Sequence, residues 1–351
     1  MRALTVEPRR AGSAEVGEVP DPEPADDELL VRGLALGICG TDREIADGEF
    51  GEAPPGRERL VLGHESLGRV QHAPSGSGFT EGDLVVGVVR RPDPEPCGAC
   101  AHGEFDMCRN GRYTERGIKE IDGFGSEMWN IEPGYAVALD RRLEDVGVLI
   151  EPTSVVAKAW EQCERIGARA WFDPRRVLVT GAGPIGLLAA LLGVQRGLDV
   201  HVLDLVRDGP KPDAVRALGA VYHCDGMEDA LTRARPDIII EATGVSKLVV
   251  EAIAGTEPYG IVCLTGVSTG GREVSVDVGA ANRGIVLEND ALVGSVNANL
   301  RHYRAAASSL VEADLDWLGR LISRRVPLGR AAEALEPREN DIKVVVTLDD
   351  G

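Results

Sequence analysis

The feature that most constrains the fold is a glycine-rich turn between two apolar segments. An apolar run at residues 177–179 leads into glycines in G-x-G-x-x-G spacing, and a helical run and a second apolar run follow, ending at Asp204. This order predicts strand, turn, helix and strand. The glycines permit a tight turn, close approach of a pyrophosphate to the helix N-terminus, and close packing of helix on strand. We interpret the segment as a dinucleotide-binding unit rather than an ordinary glycine-rich turn, with these predicted cofactor contacts: Gly181, Gly183, Pro184, Ile185, Gly186 and Asp204.

The residue at the end of the second strand predicts the choice of cofactor. A carboxylate such as that of Asp204 accepts hydrogen bonds from the adenosine ribose hydroxyls and repels a 2′-phosphate. We therefore expect NAD to be preferred. Arg207 follows three residues later and would partly offset the repulsion, so activity with NADP is possible.

Alternating strand-like and helix-like segments continue from residue 175 to about residue 296. Six parallel strands with intervening helices make a doubly wound α/β fold. Thr243-Gly244 and Gly266-Val267 come just after predicted strands. Ligands bind at the carboxyl edge of such a sheet, so these turns are expected to line the ribose and nicotinamide of the cofactor.

Length and charge narrow the possible partners. A chain of 351 residues suffices for two domains. The net charge of -19 disfavours nucleic acids and anionic membranes. No apolar run approaches the roughly 18 residues of a membrane span, and the N-terminus reads as a strand rather than a signal peptide. The sequence therefore predicts a cytoplasmic protein that acts on a small molecule.

Possible zinc ligands lie in the N-terminal part, where short apolar runs indicate antiparallel β-structure. Cys39 is flanked by glycine and followed by Thr41, and His64 and Glu65 stand about twenty-five residues later. A thiolate, an imidazole and a carboxylate are ligands that zinc accepts. Taken one at a time, Cys39 also fits a buried thiol, His64 a core histidine and Glu65 a solvated carboxylate, none of them binding a metal. Together they predict a catalytic zinc site.

Several motifs resemble those of one enzyme family over essentially the whole chain. Cys-Gly-Thr-Asp at 39–42, Gly-His-Glu at 63–65, Glu151-Pro152 and the glycine-rich turn resemble the zinc-dependent medium-chain alcohol and polyol dehydrogenases. Glu-Arg-Gly-Ile at 115–118, the region of Gly244 and Gly-Ser-Val-Asn at 294–297 are similar to microbial glucose dehydrogenases. The resemblance implies a GroES-like, β-rich catalytic zinc domain formed by residues 1–155 and 297–351, which is discontinuous, and a Rossmann domain formed by residues 156–296.

The same resemblance implies oxidation of an aldose at C1, which gives the aldonolactone, with hydride transfer to NAD(P). Three of the residues named below also fit other roles. Glu115 fits a surface salt bridge, Glu151 a favourable charge at a helix N-terminus, and His302 a surface histidine. The implied zinc ligands are Cys39 and His64 with Glu65 or Glu151 as the carboxylate. Thr41, Glu65 and Glu151 are implied to take part in catalysis. The implied sugar contacts are Glu115, Glu151, Asn297 and His302, and Asn297 is also expected to touch the nicotinamide.

Three cysteines in a Pro- and Gly-rich segment form a second candidate metal site. Cys97, Cys100 and Cys108 have the C-x2-C spacing of a closed structural site. Related lobes in the resembled family usually carry four cysteines, so His102 or Asp106 would have to supply the fourth ligand. The alternative is a metal-free loop of reduced thiols.

Other functions also fit parts of this pattern. A sorbitol, galactose or threonine dehydrogenase would share the metal and cofactor residues. A non-catalytic nucleotide-binding protein or a zinc-free quinone reductase would not need the set Cys39, Thr41, His64, Glu65 and Glu151. Analogy with the family further predicts a homodimer or homotetramer that pairs edge strands at residues 274–278 and 292–296.

Overall fold

The chain divides into two compact units. The computed structural model describes residues 1–268 and 273–349. One unit comprises Met1–Ser154 and Ala298–Gly351, and the other comprises Val155–Asn297. Within the described ranges, no helix combines the length and the hydrophobicity needed to span a membrane.

The first unit is built around a seven-stranded sheet. Its strand order is β11-β6-β5-β3-β19-β18, and β10 also pairs with β3; the smaller sheets are β2-β1-β4 and β7-β8-β9. The strands are β1 (Arg2–Val6), β2 (Glu15–Glu18), β3 (Leu29–Ile38), β4 (Leu60–Val61), β5 (Glu65–His72), β6 (Leu84–Gly87), β7 (Arg90–Arg91), β8 (Thr114–Arg116), β9 (Glu120–Ile121), β10 (Met128–Ile131), β11 (Ala136–Ala138), β18 (Ile322–Pro327) and β19 (Lys343–Thr347). The helices are α1 (Gly40–Ala46), α2 (Gly98–Ala101), α9 (Leu300–Glu312), α10 (Leu315–Leu321) and α11 (Ala332–Leu335), and α3 (Ile150–Gly167) begins in this unit.

Strand β3 brings distant parts of the chain to one edge of the sheet. It pairs antiparallel with β5, which places Gly37 opposite Glu65, and antiparallel with β19, which places Ile38 opposite Val344. A Cβ atom on Gly37 would lie only 2.0 Å from Glu65 Oε2. Only glycine therefore allows the Glu65 side chain to lie across the end of β3 in this conformation.

The second unit is a doubly wound fold, which confirms the predicted α/β class. Its six strands are all parallel in the order β14-β13-β12-β15-β16-β17, the order of dinucleotide-binding sheets. The strands are β12 (Arg176–Thr180), β13 (Asp199–Leu203), β14 (Val221–His223), β15 (Ile238–Glu241), β16 (Ile261–Leu264) and β17 (Ala291–Gly294). The helices are α4 (Pro184–Gln195), α5 (Pro210–Ala217), α6 (Met227–Ala234), α7 (Ser246–Ile253) and α8 (Val278–Glu288).

The glycine-rich turn connects β12 to α4. Gly181 has a φ of +89°, and Gly183 is the N-cap of α4. A Cβ atom on Gly186 would lie 1.8 Å from the carbonyl oxygen of Gly181. The third glycine is therefore required for the first turn of the helix to pack against the loop.

Each unit has its own hydrophobic core. In the first, aliphatic side chains of β3 and β19 pack with Phe124 and Trp129, whose rings meet edge to face at 4.8 Å between centroids. In the second, Leu178, Leu203 and Ile239 of three neighbouring strands pack against α6. Both cores include side chains of the strands whose ends carry the candidate site residues.

Two segments differ from the sequence-based expectation. Residues 316–324 carry a helix-like sequence pattern, but α10 ends at Leu321 and Ile322–Pro327 forms β18. Parallel pairing with β19 outweighs the local helix propensity there. Residues 274–278 were expected to form an edge strand, but residues 273–277 form no helix or strand, and α8 begins at Val278 with Asp277 as its N-cap. Asp277 accepts a hydrogen bond from the backbone N–H of Ala280, which favours helix initiation over strand pairing.

Candidate active site

Three possible metal ligands converge at one end of the large sheet. Cys39 is the N-cap of α1 directly after β3, and His64 and Glu65 stand at the start of β5. One ligand atom from each residue lies within 4.8 Å of the others, and Cys39 Sγ is 3.2 Å from His64 Nε2. His64 and Glu65 are buried. The structure thus brings together donors that two separate sequence motifs supply.

Asp42 contacts two members of this cluster, His64 and Cys39. Its Oδ1 lies 3.4 Å from His64 Nδ1, and its Oδ2 accepts a 2.9 Å hydrogen bond from the backbone N–H of Cys39. Burial opposes a charged imidazole, but Cys39 and Asp42 outweigh it and raise the pKa of His64 well above its ordinary value. Asp42 therefore orients the imidazole so that Nε2 faces the Cys39 sulfur. In metal sites, the ring nitrogen of histidine that does not bind the metal commonly donates a hydrogen bond to a carboxylate, which fixes the orientation of the ring.

A buried lysine that sequence reasoning missed lies beside Glu65. Lys343 Nζ lies 2.6 Å from both carboxylate oxygens of Glu65 and donates to the carbonyl of Ile38 at 3.3 Å. Both charged side chains are only 2% exposed. Burial tends to lower the pKa of Lys343, but the charges of Glu65 and Cys39 outweigh it, and the pKa is raised. Glu65 is therefore held in a buried ion pair.

Glu151 and Thr41 lie close to the same centre. Glu151 is in the first turn of α3. Burial of its carboxyl group, opposed by the charge of His64 and reinforced by that of Glu65, raises the pKa of Glu151 to about 7. These interactions place Glu151 beside the cluster. Thr41 lies in the first turn of α1, two residues after Cys39, and is partly exposed.

The donor set of this centre fits zinc. A thiolate, an imidazole and a carboxylate within one ion's reach are the ligands of catalytic zinc sites, in which one position stays open for substrate. Without an ion, burial raises the pKa of the Cys39 thiol. A divalent cation would offset this penalty, because it stabilises the thiolate directly.

The three thiols of the cysteine loop also converge. Cys97, Cys100 and Cys108 offer sulfur atoms within 4.8 Å of one another. The backbone N–H of Arg109 donates to Cys97 Sγ at 3.4 Å, and this contact, followed by the backbone N–H of Cys100, lowers the pKa of Cys97 to about 6. A thiol held in this way is prepared to bind a metal as thiolate.

The two candidates for a fourth ligand in this loop have other contacts. His102 is exposed, and its Nδ1 lies 2.7 Å from the carbonyl oxygen of Gly98. Asp106 is buried, and its Oδ1 accepts a 2.8 Å hydrogen bond from Asn299 Nδ2. In the described part of the chain, the cluster is therefore made of three sulfurs.

The predicted sugar contacts occupy different surroundings. Glu115 lies on β8, and its Oε1 accepts hydrogen bonds from Arg90 Nε at 3.1 Å and Nη2 at 2.9 Å. His302 is only 2% exposed, so the alternative of a surface histidine is wrong. Its Nδ1 accepts a 3.1 Å hydrogen bond from the backbone N–H of Asn299. Asn297 is partly exposed and has a φ of +60°.

Asp204 lies at the glycine-rich turn. Its Oδ2 accepts a 2.7 Å hydrogen bond from the backbone N–H of Ala182, and its Oδ1 accepts from the backbone N–H groups of the two residues that follow it. Lys211, which the sequence analysis did not single out, places Nζ 3.9 Å from Asp204 Oδ2. Arg207 instead forms a 3.0 Å ion pair with Asp225 on the exposed surface. Lys211, rather than Arg207, is thus the cation beside Asp204.

The remaining predicted cofactor contacts follow the ends of β15 and β16. Glu241 is buried and accepts hydrogen bonds from the backbone N–H of Thr243 at 2.9 Å and of Gly244 at 3.1 Å. Sequence reasoning did not identify this residue. The backbone N–H of Gly266 donates to the carbonyl of Glu241 at 3.0 Å. Val267 is 80% exposed, so this apolar side chain is accessible at the edge where ligands of doubly wound sheets bind.

The first unit is β-rich and carries thiolate, imidazole and carboxylate donors, and the second is doubly wound and carries the glycine-rich turn. These features define a medium-chain dehydrogenase of the alcohol dehydrogenase type. Residues 25–141 match the alcohol dehydrogenase GroES-like domain. Residues 144–348 match the glucose dehydrogenase C-terminus. The chain therefore belongs to the glucose dehydrogenase family.

Individual relatives agree with this assignment over their full length. The chain is 40% identical to a glucose 1-dehydrogenase of Methanocella arvoryzae, with 99% of each chain covered. It is 36% identical to glucose 1-dehydrogenase 2 of Haloterrigena turkmenica, with 99% of this chain and 100% of the relative covered. The structure of Haloferax mediterranei glucose dehydrogenase in complex with NADP, Zn and gluconolactone superposes with a TM-score of 0.92 at 34% identity and covers 100% of both chains.

Proposed function

We propose that this protein is a zinc-dependent glucose 1-dehydrogenase, which oxidises an aldose at C1 to the aldonolactone and transfers the hydride to NAD(P). The observation that carries the proposal is the convergence of Cys39, His64 and Glu65 on one point in a chain of this family. We assign the catalytic zinc domain to residues 1–155 and 297–351 and the dinucleotide-binding domain to residues 156–296.

Cys39 and His64 would hold the zinc ion, with Asp42 fixing the orientation of the imidazole. When bound, zinc supplies a Lewis acid that lowers the pKa of the C1 hydroxyl and stabilises the alkoxide. Thr41 follows Cys39 closely, and its hydroxyl would accept a hydrogen bond from the C1 hydroxyl and relay the proton, taking it up as its own proton passes towards solvent. Donation of the hydride from C1 then leaves the lactone carbonyl.

The two glutamates are proposed to have different tasks. Glu65 is neutralised by Lys343, so we assign it to a supporting role behind the metal or to a weak, exchangeable ligand. Glu151 is a buried carboxyl group whose charged form is disfavoured by burial. A metal ion beside it would stabilise the carboxylate, so we assign Glu151 as the carboxylate that binds near the metal.

Polar side chains of the proposed catalytic domain, residues 1–155 and 297–351, support a sugar substrate. Glu115 offers carboxylate acceptors held by Arg90. His302 accepts at Nδ1, so its neutral form carries the proton on Nε2 and can donate to a hydroxyl. Asn297 adds an amide. A site lined by such groups discriminates against substrates that lack hydroxyls, because buried polar groups left unpaired are unfavourable.

We further propose that NAD is preferred and NADP is accepted. Asp204 would bind the ribose hydroxyls of NAD. Lys211 partly neutralises this carboxylate at 3.9 Å, which reduces the repulsion of a 2′-phosphate. Arg207 lies outside this contact because Asp225 holds it.

A second copy of this chain is the proposed protein partner. β17 is an edge strand of the doubly wound sheet, and apolar side chains near it are exposed: Leu292 by 47%, Val296 by 58%, and Val286 and Leu287 of α8 by 64% each. Exposed apolar patches next to a free strand edge favour association. We expect a dimer or tetramer, and sedimentation analysis of a Leu287→Glu variant tests it. The cytoplasmic location stays a prediction.

The test is the initial rate of oxidation of a panel of aldoses and polyols with NAD and NADP, before and after removal of metal by a chelator. Chelator-sensitive oxidation of glucose, restored by zinc, is the expected result. Turnover of polyols or amino-acid alcohols alone would retain the metal and cofactor assignments and contradict the sugar assignment. No turnover of any substrate would favour a non-catalytic nucleotide-binding protein.

A further inference from the structure

A buried polar network in the first unit connects the cysteine loop with two of the proposed sugar contacts. Arg90 donates to Glu115 Oε1 through Nε and Nη2 and to the carbonyl oxygen of Asp106 through Nη1 at 3.1 Å. Asp106 Oδ1 accepts a 2.8 Å hydrogen bond from Asn299 Nδ2. Each of these four residues is at most 9% exposed. The network therefore lies where water competes little for its hydrogen bonds.

The network ends at the first turn of α9. Asn299 is the N-cap of this helix, and its Oδ1 accepts from the backbone N–H of Arg301 at 3.1 Å. Its backbone N–H donates to Nδ1 of His302 at 3.1 Å. The amide of Asn299 thus has its oxygen turned to the helix and its nitrogen turned to Asp106. Asn299 therefore holds the ring of His302 through its backbone N–H, while its side chain ties the same residue to Asp106.

The same helix turn lies beside the candidate metal centre. Tyr303 is 1% exposed. Burial, followed by the charge of Glu151, raises the pKa of Tyr303 well above its ordinary value. The first turn of α9 is therefore next to the carboxyl group that we assign to the reaction.

We propose that Asp106 is a positioning residue of the sugar-binding site, acting through Asn299 on His302. The carbonyl oxygen of Asp106 also accepts a hydrogen bond from Arg90, which in turn donates to Glu115. One buried network therefore positions both proposed sugar contacts, Glu115 and His302. This inference rests on the proposed sugar-binding role of Glu115 and His302. It gives Asp106 a task other than binding metal in the cysteine loop.

The test exchanges the two hydrogen-bonding groups between Asp106 and Asn299. Asn299→Asp keeps an N-cap oxygen for the Arg301 N–H but places two carboxylates opposite each other. Asp106→Asn alone is the matched control, because a rotated amide still offers an oxygen to Asn299 Nδ2. The double variant Asp106→Asn/Asn299→Asp restores the bond with donor and acceptor exchanged. All four proteins are compared as zinc-loaded full-length chains.

We expect Asn299→Asp to raise the KM for glucose by about tenfold, which corresponds to one lost buried hydrogen bond. kcat should change less than about threefold, and cofactor affinity and zinc content should stay unchanged. The control and the double variant should lie within about threefold of the wild-type KM. The proposal is overturned if Asn299→Asp leaves KM unchanged, if the double variant does not recover, or if Asp106→Asn loses zinc.

A second measurement does not require turnover. Nitrogen-15 NMR of labelled histidine reports whether Nδ1 of His302 accepts a hydrogen bond and Nε2 carries the proton. This signature should be altered by Asn299→Asp and regained in the double variant. If the wild-type protein oxidises no sugar, the proposed function fails, whereas the NMR pattern still supports or contradicts the positioning of His302 by Asp106.

Discussion

The buried ion pair between Lys343 and Glu65 allows a quantitative prediction of the free energy of unfolding. At 2.6 Å between nitrogen and oxygen, with both side chains 2% exposed, the attraction amounts to roughly 6 kcal/mol at an effective dielectric constant of about 20. Much of this offsets the desolvation of two ions. Removal of only the lysine leaves the carboxylate of Glu65 buried without its countercharge, which typically costs about 3–5 kcal/mol. We therefore expect Lys343→Met to reduce the free energy of unfolding by about that amount.

The assay is urea unfolding of the chelator-treated protein at neutral pH, so that metal binding does not contribute. The double variant Glu65→Gln/Lys343→Met is the control. It removes both charges, and its stability should return to within about 1–2 kcal/mol of wild type. A single variant as stable as wild type, or a double variant as unstable as the single one, would refute the reasoning that Lys343 compensates a buried charge.

Three other predictions concern Glu151, Asp204 and Cys97. The pKa of Glu151 is raised in the folded state from 4.5 to about 7, so the metal-free protein should lose up to about 3 kcal/mol of stability as pH rises through this interval. Urea unfolding of Glu151→Gln at pH 5 and pH 8 should show a smaller loss, and an unchanged pH dependence would contradict this. Asp204→Gly should shift the ratio of kcat/KM values towards NADP by about tenfold or more, as one removed like charge near a phosphate implies; an unchanged ratio would exclude this role of Asp204. Cys97→Ser should remove zinc from the cysteine loop, detected as one equivalent less metal per chain, and equal zinc contents would instead indicate a metal-free loop.

Sequence reasoning located the features that depend on short stretches of chain. The glycine-rich turn and Asp204 lie within one strand-helix-strand unit, where spacing alone carries the structural requirement. Cys39 directly follows β3 and His64 directly precedes the neighbouring strand β5, and both are recognised by residue type and order. Residues 316–324, in contrast, carry a helix-like pattern, and only the pairing of β18 with β19 shows that the segment changes to a strand after Leu321.

The missed residues are partners brought in from distant parts of the chain. Lys343 meets Glu65 across 278 positions because β19 and β5 both flank β3. Asn299 meets Asp106 across 193 positions. Strand order and the packing of α9 decide these contacts, and one sequence contains no local signal for either. The lysine that begins the largely apolar strand β19 indicates a buried charge but does not identify its partner.

Transfer of deuterium from C1-deuterated glucose tests whether hydride leaves C1 of an aldose in a zinc-dependent reaction. The zinc-loaded protein is incubated with this substrate and NAD, and the reduced cofactor is analysed by mass spectrometry. We expect one deuterium per reduced cofactor, a primary isotope effect on kcat/KM if the transfer limits the rate, and loss of the reaction on chelation. Reduced cofactor without deuterium, or deuterium transfer that continues at full rate after zinc is removed, would contradict it.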